Sequence, residues 1–189
     1  MNLTSKIYSY IKITRPINVI ITFSVVVVAI LISQTESTDF YVILFASIAA
    51  ALVTAAGNIV NDIFEIDTDK ISHQDRVLVL GKISKKESWI EYLLLNGISF
   101  IISVSLSIKL MLIALTTIIL LYIYSSTLKK LPLIGNLTIA FLTGLAFIYG
   151  GLAVGNPMSA IVPAVFAFLI NFIREIVKDM QDIEGDKTS

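Results

Sequence analysis

Six apolar runs, at 17–33, 40–60, 89–108, 110–124, 133–155 and 158–173, take up most of the chain. A helix needs roughly 17–25 residues to cross the hydrocarbon of a bilayer, and each run is near that length. A membrane β-barrel would need short strands that alternate apolar and polar positions. Runs such as "FSVVVVAILI" and "LTTIILLYIY" do not alternate. Of 189 residues, 56% are hydrophobic and only 15% charged, against about a quarter charged in soluble domains. The sequence therefore predicts an all-α, polytopic transmembrane helix bundle of about six spans. Residues 1–189 are read as a single transmembrane domain. No small-residue cleavage site follows the first run, which is read as a retained span and not as a removed signal peptide.

The charges between the runs fix an expected orientation. Of the 14 lysines and arginines, all but Lys109 lie before the first run, between the second and third, between the fourth and fifth, or after the sixth. The positive-inside rule then puts both termini in the cytoplasm of a multi-pass cell-membrane protein. With a formal net charge of zero, no nucleic-acid partner is expected. Zero cysteines and the single His73 exclude disulfides, thiolate metal sites and multi-histidine metal sites. Any metal chemistry has to use oxygen ligands.

Two acidic segments on the same face supply such ligands. In "GNIVNDIFEIDTDK", Asn58, Asp62, Glu65 and Asp69 stand at offsets 0, 4, 7 and 11, which places all four in one narrow wedge of a helix. In "REIVKDMQDIEGDK", Glu175, Asp179, Asp182 and Asp186 repeat the same offsets. Carboxylates so spaced repel one another unless a cation sits among them. Mg²⁺ favours this chemistry, because it takes one or two carboxylates and completes its shell with waters and phosphate oxygens. The paired clusters predict Mg²⁺ ions holding a diphosphate. Arg76, Lys129, Lys130, Arg174 and Lys178 are the candidates to meet the remaining phosphate charge, Arg76 and Lys129 foremost. Asn18, Asn96, Asn136 and Asn171 are candidates to line a cavity or to bond between helices, and Gly144, Gly150, Gly151 and Gly155 are read as helix-contact positions.

These residues carry a family resemblance. "GNIVNDIFEIDTDKISHQDRVLVLGKIS" resembles the first aspartate-rich motif of the UbiA-type intramembrane prenyltransferases, matching it at Asn61, Asp62 and Asp69, and "KDMQDIEGDK" is similar to the second at Asp179, Asp182, Gly185 and Asp186. Within that family, "TRPIN" and "LKKLPLIGNLTIAFLTGLAFIYGGLAVG" look most like the archaeal digeranylgeranylglyceryl phosphate synthases. The resemblance implies a UbiA-like bundle in which Asn61, Asp62, Glu65, Asp69, Asp179, Asp182 and Asp186 serve Mg²⁺. Asp62, Asp69 and Asp182 are then catalytic, and Asn58 and the five cations bind substrate. It implies transfer of a geranylgeranyl group from its diphosphate to geranylgeranylglyceryl phosphate in ether-lipid synthesis. The alternatives are an aromatic acceptor, as in quinone or haem pathways, or an inactive truncated membrane protein.

Glu65 stands where the family has aspartate, one methylene longer. Ser72, Gln74 and Val77 replace an asparagine and two prolines, which predicts a less rigid loop there. The chain also ends where the family continues through about three further spans. The expectation is a fragment, a truncation completed by an oligomer or complementing chain, or a remnant.

Overall fold

The computed structural model describes the backbone of residues 2–35, 37–131 and 133–188, and the side chains within those segments up to residue 180. The helices are α1 (Leu3–Ile13), α2 (Pro16–Ser33), α3 (Phe40–Ser72), α4 (Lys85–Leu106), α5 (Ile108–Ser126), α6 (Ile134–Ala153) and α7 (Ile161–Thr188). Two short 3₁₀ turns, Leu128–Lys130 and Pro157–Ala160, flank α6. Among the described residues there is no strand, and six helices are long and apolar enough to cross a membrane. The predicted all-α bundle of six spans is the one observed.

Local chemistry marks the helix boundaries. Pro16 opens α2, where its missing N–H costs nothing. Ser84 and Glu87 form a reciprocal capping box at the start of α4. Ser107 is extended, ends α4, and accepts from the Lys109 N–H to start α5. Gly155, with φ of +73°, turns the chain out of α6. This corrects the expectation that Gly155 is a helix-contact position: a Cβ there would meet nothing within 4 Å. The other three glycines do pack closely. A Cβ would lie 2.9 Å from the Ala164 carbonyl at Gly144, 2.5 Å from the Ala29 Cβ at Gly150, and 2.8 Å from the Ala160 Cβ at Gly151. Helices without a hydrophobic drive to associate in lipid use such small residues to approach each other.

α3 is the central element. It packs against α2, α4 and α5, while α6 packs against α2 and α7. Large apolar side chains on the outside, such as Ile17, Phe40, Ile101 and Ile170, are exposed and have hydrocarbon as their natural surroundings. At 33 residues α3 is about 50 Å long, well over the roughly 30 Å of hydrocarbon. Its last turns, with the first acidic cluster, therefore project past the apolar layer.

The segment that follows folds back over those turns. Val77, Leu78 and Ile83 are buried against Ile59, Ile63 and Tyr92 in the core at this end. The missing prolines do not leave the segment without anchors, because three apolar side chains pin it to α3 and α4. Asn156 marks the opposite end of the bundle, where it donates to the Ser33 carbonyl at 2.9 Å.

Candidate active site at the charged end of the bundle

The face predicted for α3 is real, and its acidic groups are met by cations from three other segments. Asp62 and Asp69 are only 4% and 3% exposed. Arg76, carried by the segment folded over α3, donates to Asp62 at 3.1 Å and to Glu65 at 3.5 Å, and makes a short contact with Asp69. Arg15, at the junction of α1 and α2, donates to Asp62 at 2.5 Å. Lys129, in the 3₁₀ turn after α5, contacts Glu65 closely and donates to the Asn61 Oδ1 at 3.4 Å. Asn61 in turn donates to Glu65 at 2.6 Å. Three carboxylates, Asp62, Glu65 and Asp69, thus face three cations, Arg15, Arg76 and Lys129. The cluster is charge-balanced as it stands.

Arg15 was not among the residues singled out for substrate. Its φ of +53° is a left-handed conformation rare for a side chain of its size. Asn58 on α3 donates to the carbonyl of neighbouring Thr14 at 2.8 Å, holding that junction against the bundle. Such an outlier persists only where its surroundings over-determine it. The one sequence signal was "TRP", an arginine followed by the proline that opens α2.

Beneath this cluster lies a half-open cavity of about 470 Å³ bordered by α2, α3, α5, α6 and α7. Its depth is apolar, with Ile21, Val25, Val53, Ile113, Leu142 and Ala146 among the walls. Its mouth is polar, formed by Arg15, Asn18, Asn58, Asn61, Lys129, Asn171, Arg174, Glu175 and Lys178. Four cations and one carboxylate line it, because Asp62, Glu65 and Asp69 stand behind and not in its wall. The sequence analysis expected carboxylates to hold Mg²⁺ and five cations to meet the phosphates; of those cations Lys129, Arg174 and Lys178 line the cavity. The charge facing the cavity is positive, since the arginines and Lys129 cap the carboxylates.

Of the second cluster the side chains of Glu175 and Asp179 are described, and Glu175 pairs with Arg174 at 3.7 Å. Asp179 accepts from Asn136 of α6 at 2.6 Å, and Asn171 donates to Thr143 at 2.8 Å. Arg174 donates to Asn171 at 3.1 Å. Arg174 and Lys178 reach the cavity, whereas Lys130 is exposed and makes no ion pair among the described residues. The side chains of Asp182 and Asp186 lie outside the described ones. Of the four asparagines considered, Asn18 and Asn171 line the cavity, Asn136 bonds between helices, and Asn96 is buried on α4 away from it.

Among the described residues no group of three or more acidic or histidine side chains is arranged to hold a metal ion; where Asp62, Glu65 and Asp69 converge, the Arg76 guanidinium occupies the point. The Asn61 Oδ1 and the Glu65 carboxylate, one turn apart, nevertheless share a cation already, the Lys129 ammonium. That is a hard-oxygen pair suited to a divalent ion whose remaining ligands come from phosphate and water.

Residues 22–189 match the UbiA prenyltransferase family. The chain belongs to this family. Among its relatives, the digeranylgeranylglyceryl phosphate synthases of Methanothermobacter thermautotrophicus and Thermococcus sibiricus are each 37% identical over 178 residues. Each alignment covers 94% of this chain and, respectively, 62% and 64% of the relative. A solved structure concerned with digeranylgeranylglyceryl phosphate synthase in membranes superposes with a TM-score of 0.84 at 34% identity, over 97% of this chain and 66% of that one. A UbiA homologue from Archaeoglobus fulgidus bound to DMAPP and Mg²⁺ shares the fold, with a TM-score of 0.76 at 21% identity. The chain spans a little under two thirds of the curated relatives' length. As a UbiA member it is a multi-pass membrane protein, and the cluster on α3 and the cavity beneath it are its candidate active site.

Proposed function

We propose that this chain carries the diphosphate-binding part of a Mg²⁺-dependent prenyltransferase that moves a geranylgeranyl group from its diphosphate to geranylgeranylglyceryl phosphate. One observation carries the reading: a cation-lined mouth opens onto a 470 Å³ apolar cavity, with a balanced carboxylate cluster directly behind it. A diphosphate headed by a prenyl chain matches that gradient from charge to hydrocarbon. The relatives' shared activity, and the Archaeoglobus homologue with DMAPP and Mg²⁺, support the same chemistry.

Asn61 and Glu65 are the oxygens that would hold Mg²⁺ on α3, with Asp179, Asp182 and Asp186 serving the second motif. When bound, the metal supplies neutralisation of the charge that develops on the leaving diphosphate. Lys129, Arg174 and Lys178 orient the diphosphate and stabilise that charge from fixed positions. Asp62 and Asp69 act through Arg76, which they hold in place. Asn58 stands at the cavity mouth and fixes the α1–α2 junction, while Lys130, outside the cavity wall, is given no substrate contact. The allylic C–O bond breaks with its electron pair leaving on diphosphate, the acceptor hydroxyl oxygen forms the new ether bond, and its proton passes to a basic oxygen at the mouth. The apolar walls keep water from the allylic carbon.

The cationic segments gather at one end of the bundle, and the positive-inside rule assigns that end, with both termini, to the cytoplasm. Acceptor and diphosphate then reach the site from that face. Membranes containing the 189-residue chain, given radiolabelled geranylgeranyl diphosphate, Mg²⁺, geranylgeranylglyceryl phosphate and an aromatic acceptor, are expected to label digeranylgeranylglyceryl phosphate. Label only on an aromatic acceptor, or none on the glyceryl phosphate, would overturn the assignment.

A further inference from the structure

α1 is too short to span a membrane, at 11 residues or about 16 Å, and its surface divides into three sectors. Ser9 and Ile13 are buried against the bundle. Tyr10 donates to Glu87 at 3.2 Å, Lys6 pairs with Glu87 at 2.5 Å, and Lys12 donates to the Asp75 carbonyl at 3.3 Å. The Glu87 carboxylate holds the Lys6 ammonium above its usual pKa. Leu3, Ile7, Tyr8 and Ile11 form the second sector, at 76%, 51%, 62% and 53% exposed. At 100° per residue they fall within about 140° of arc. Ser5 and Lys12 lie beyond that arc, in the third sector.

Four large apolar side chains on three turns of helix are not a stable aqueous surface, since covering each is worth about 1.5–3 kcal/mol. What covers them follows from continuity. Only Thr14 and Arg15 separate α1 from α2, whose first lipid-facing side chains, Ile17 and Ile20, are among the most exposed apolar groups of the bundle. The apolar sector of α1 therefore begins at the same level as the hydrocarbon boundary. Lys6 and Lys12 flank it with long stems and charged tips, the side chains that suit a headgroup layer.

We propose that α1 is an in-plane anchor lying in the headgroup layer, with Leu3, Ile7, Tyr8 and Ile11 inserted at the acyl boundary. Its occupant is the lipid surface itself. This places the Thr14 carbonyl and Arg15, which meet Asn58 and Asp62, at the end of a helix tied to both bilayer and bundle.

The absence of native cysteine allows a direct test. Single variants Leu3→Cys, Ile7→Cys, Ile11→Cys and Ser5→Cys, all at exposed positions, are spin-labelled in the full chain, reconstituted in liposomes, and read by power-saturation EPR with oxygen and an aqueous nickel chelate. Positions 3, 7 and 11 are expected at a depth of about 5–10 Å, with oxygen the stronger relaxant, and position 5 with the nickel chelate stronger. Equal access of the nickel chelate at all four positions would overturn the proposal. So would labels at 3, 7 and 11 shielded from both relaxants, which would mean that protein covers this face. Neither readout depends on prenyl transfer.

Discussion

The two acidic segments share one spacing but, over their described side chains, meet different partners. On α3 the offsets 0, 4, 7 and 11 place Asp62, Glu65 and Asp69 under a folded-back segment, where Arg15, Arg76 and Lys129 meet them and two of the three are almost wholly buried. On α7 the same spacing leaves Asp179 half-buried with an asparagine for its partner, and Arg174 and Lys178 reaching into the cavity. Spacing decides only which groups share a face. What packs across that face decides whether the charges become structural or stay available. Val77, Leu78 and Ile83 anchor the segment that carries Arg76, so the contrast originates in three apolar residues as much as in the carboxylates.

Removing Arg76 should give the largest effect, because it leaves buried Asp62 and Asp69 short of a counter-charge. Arg76→Ala is expected to cost about 3–5 kcal/mol, read as a loss of unfolding midpoint in detergent. The double variant Arg76→Met, Asp69→Asn should recover much of that loss, since it removes one charge of each sign and leaves Asp62 and Glu65 facing Arg15 and Lys129. A double variant as unstable as Arg76→Ala would mean that the cluster stabilises by shape and not by charge pairing.

On α7 the expected cost is smaller. Asp179→Ala removes one hydrogen bond to Asn136, and a loss of about 1 kcal/mol is expected, with Asn136→Ala adding little on top of it in a double-mutant cycle. A loss matching that of Arg76→Ala would abolish the contrast between the two clusters. Asp67→Asn gives the smallest effect. Asp67 lies on α3 among the others but faces out to exposed Lys70, and solvent screening of that pair predicts an unchanged midpoint.

Much of this was legible in the sequence for physical reasons. A run of apolar residues in a bilayer has little choice but to be a helix, so the six spans could be read directly, and helical periodicity put Asn58, Asp62, Glu65 and Asp69 on one face. The spans' ends were less legible. The apolar signal of α3 stops near residue 60 while the helix continues to Ser72, because its last turns are held by the cluster and the core at that end and not by lipid. α1 escaped notice because a short amphipathic helix has neither the length nor the polarity of a span. The role of Arg15 and the pairing of Lys129 with Asn61 depend on contacts 47 and 68 residues apart in sequence, which no local pattern encodes. Gly155 looked like the other glycines of α6, and only its backbone angle separates a turn from a contact.

The α3 cluster is balanced by its own cations, and we propose that Mg²⁺ and diphosphate would bind together, with Asn61 and Glu65 holding the metal and Lys129 the diphosphate. Equilibrium binding of a non-hydrolysable geranylgeranyl thiolodiphosphate to the chain in nanodiscs, with and without Mg²⁺, tests it most directly. The prediction is tight binding only with Mg²⁺, weakened at least about tenfold by Glu65→Gln and left unchanged by Asp67→Asn. Binding of equal strength without Mg²⁺, or indifferent to Glu65→Gln, would contradict it.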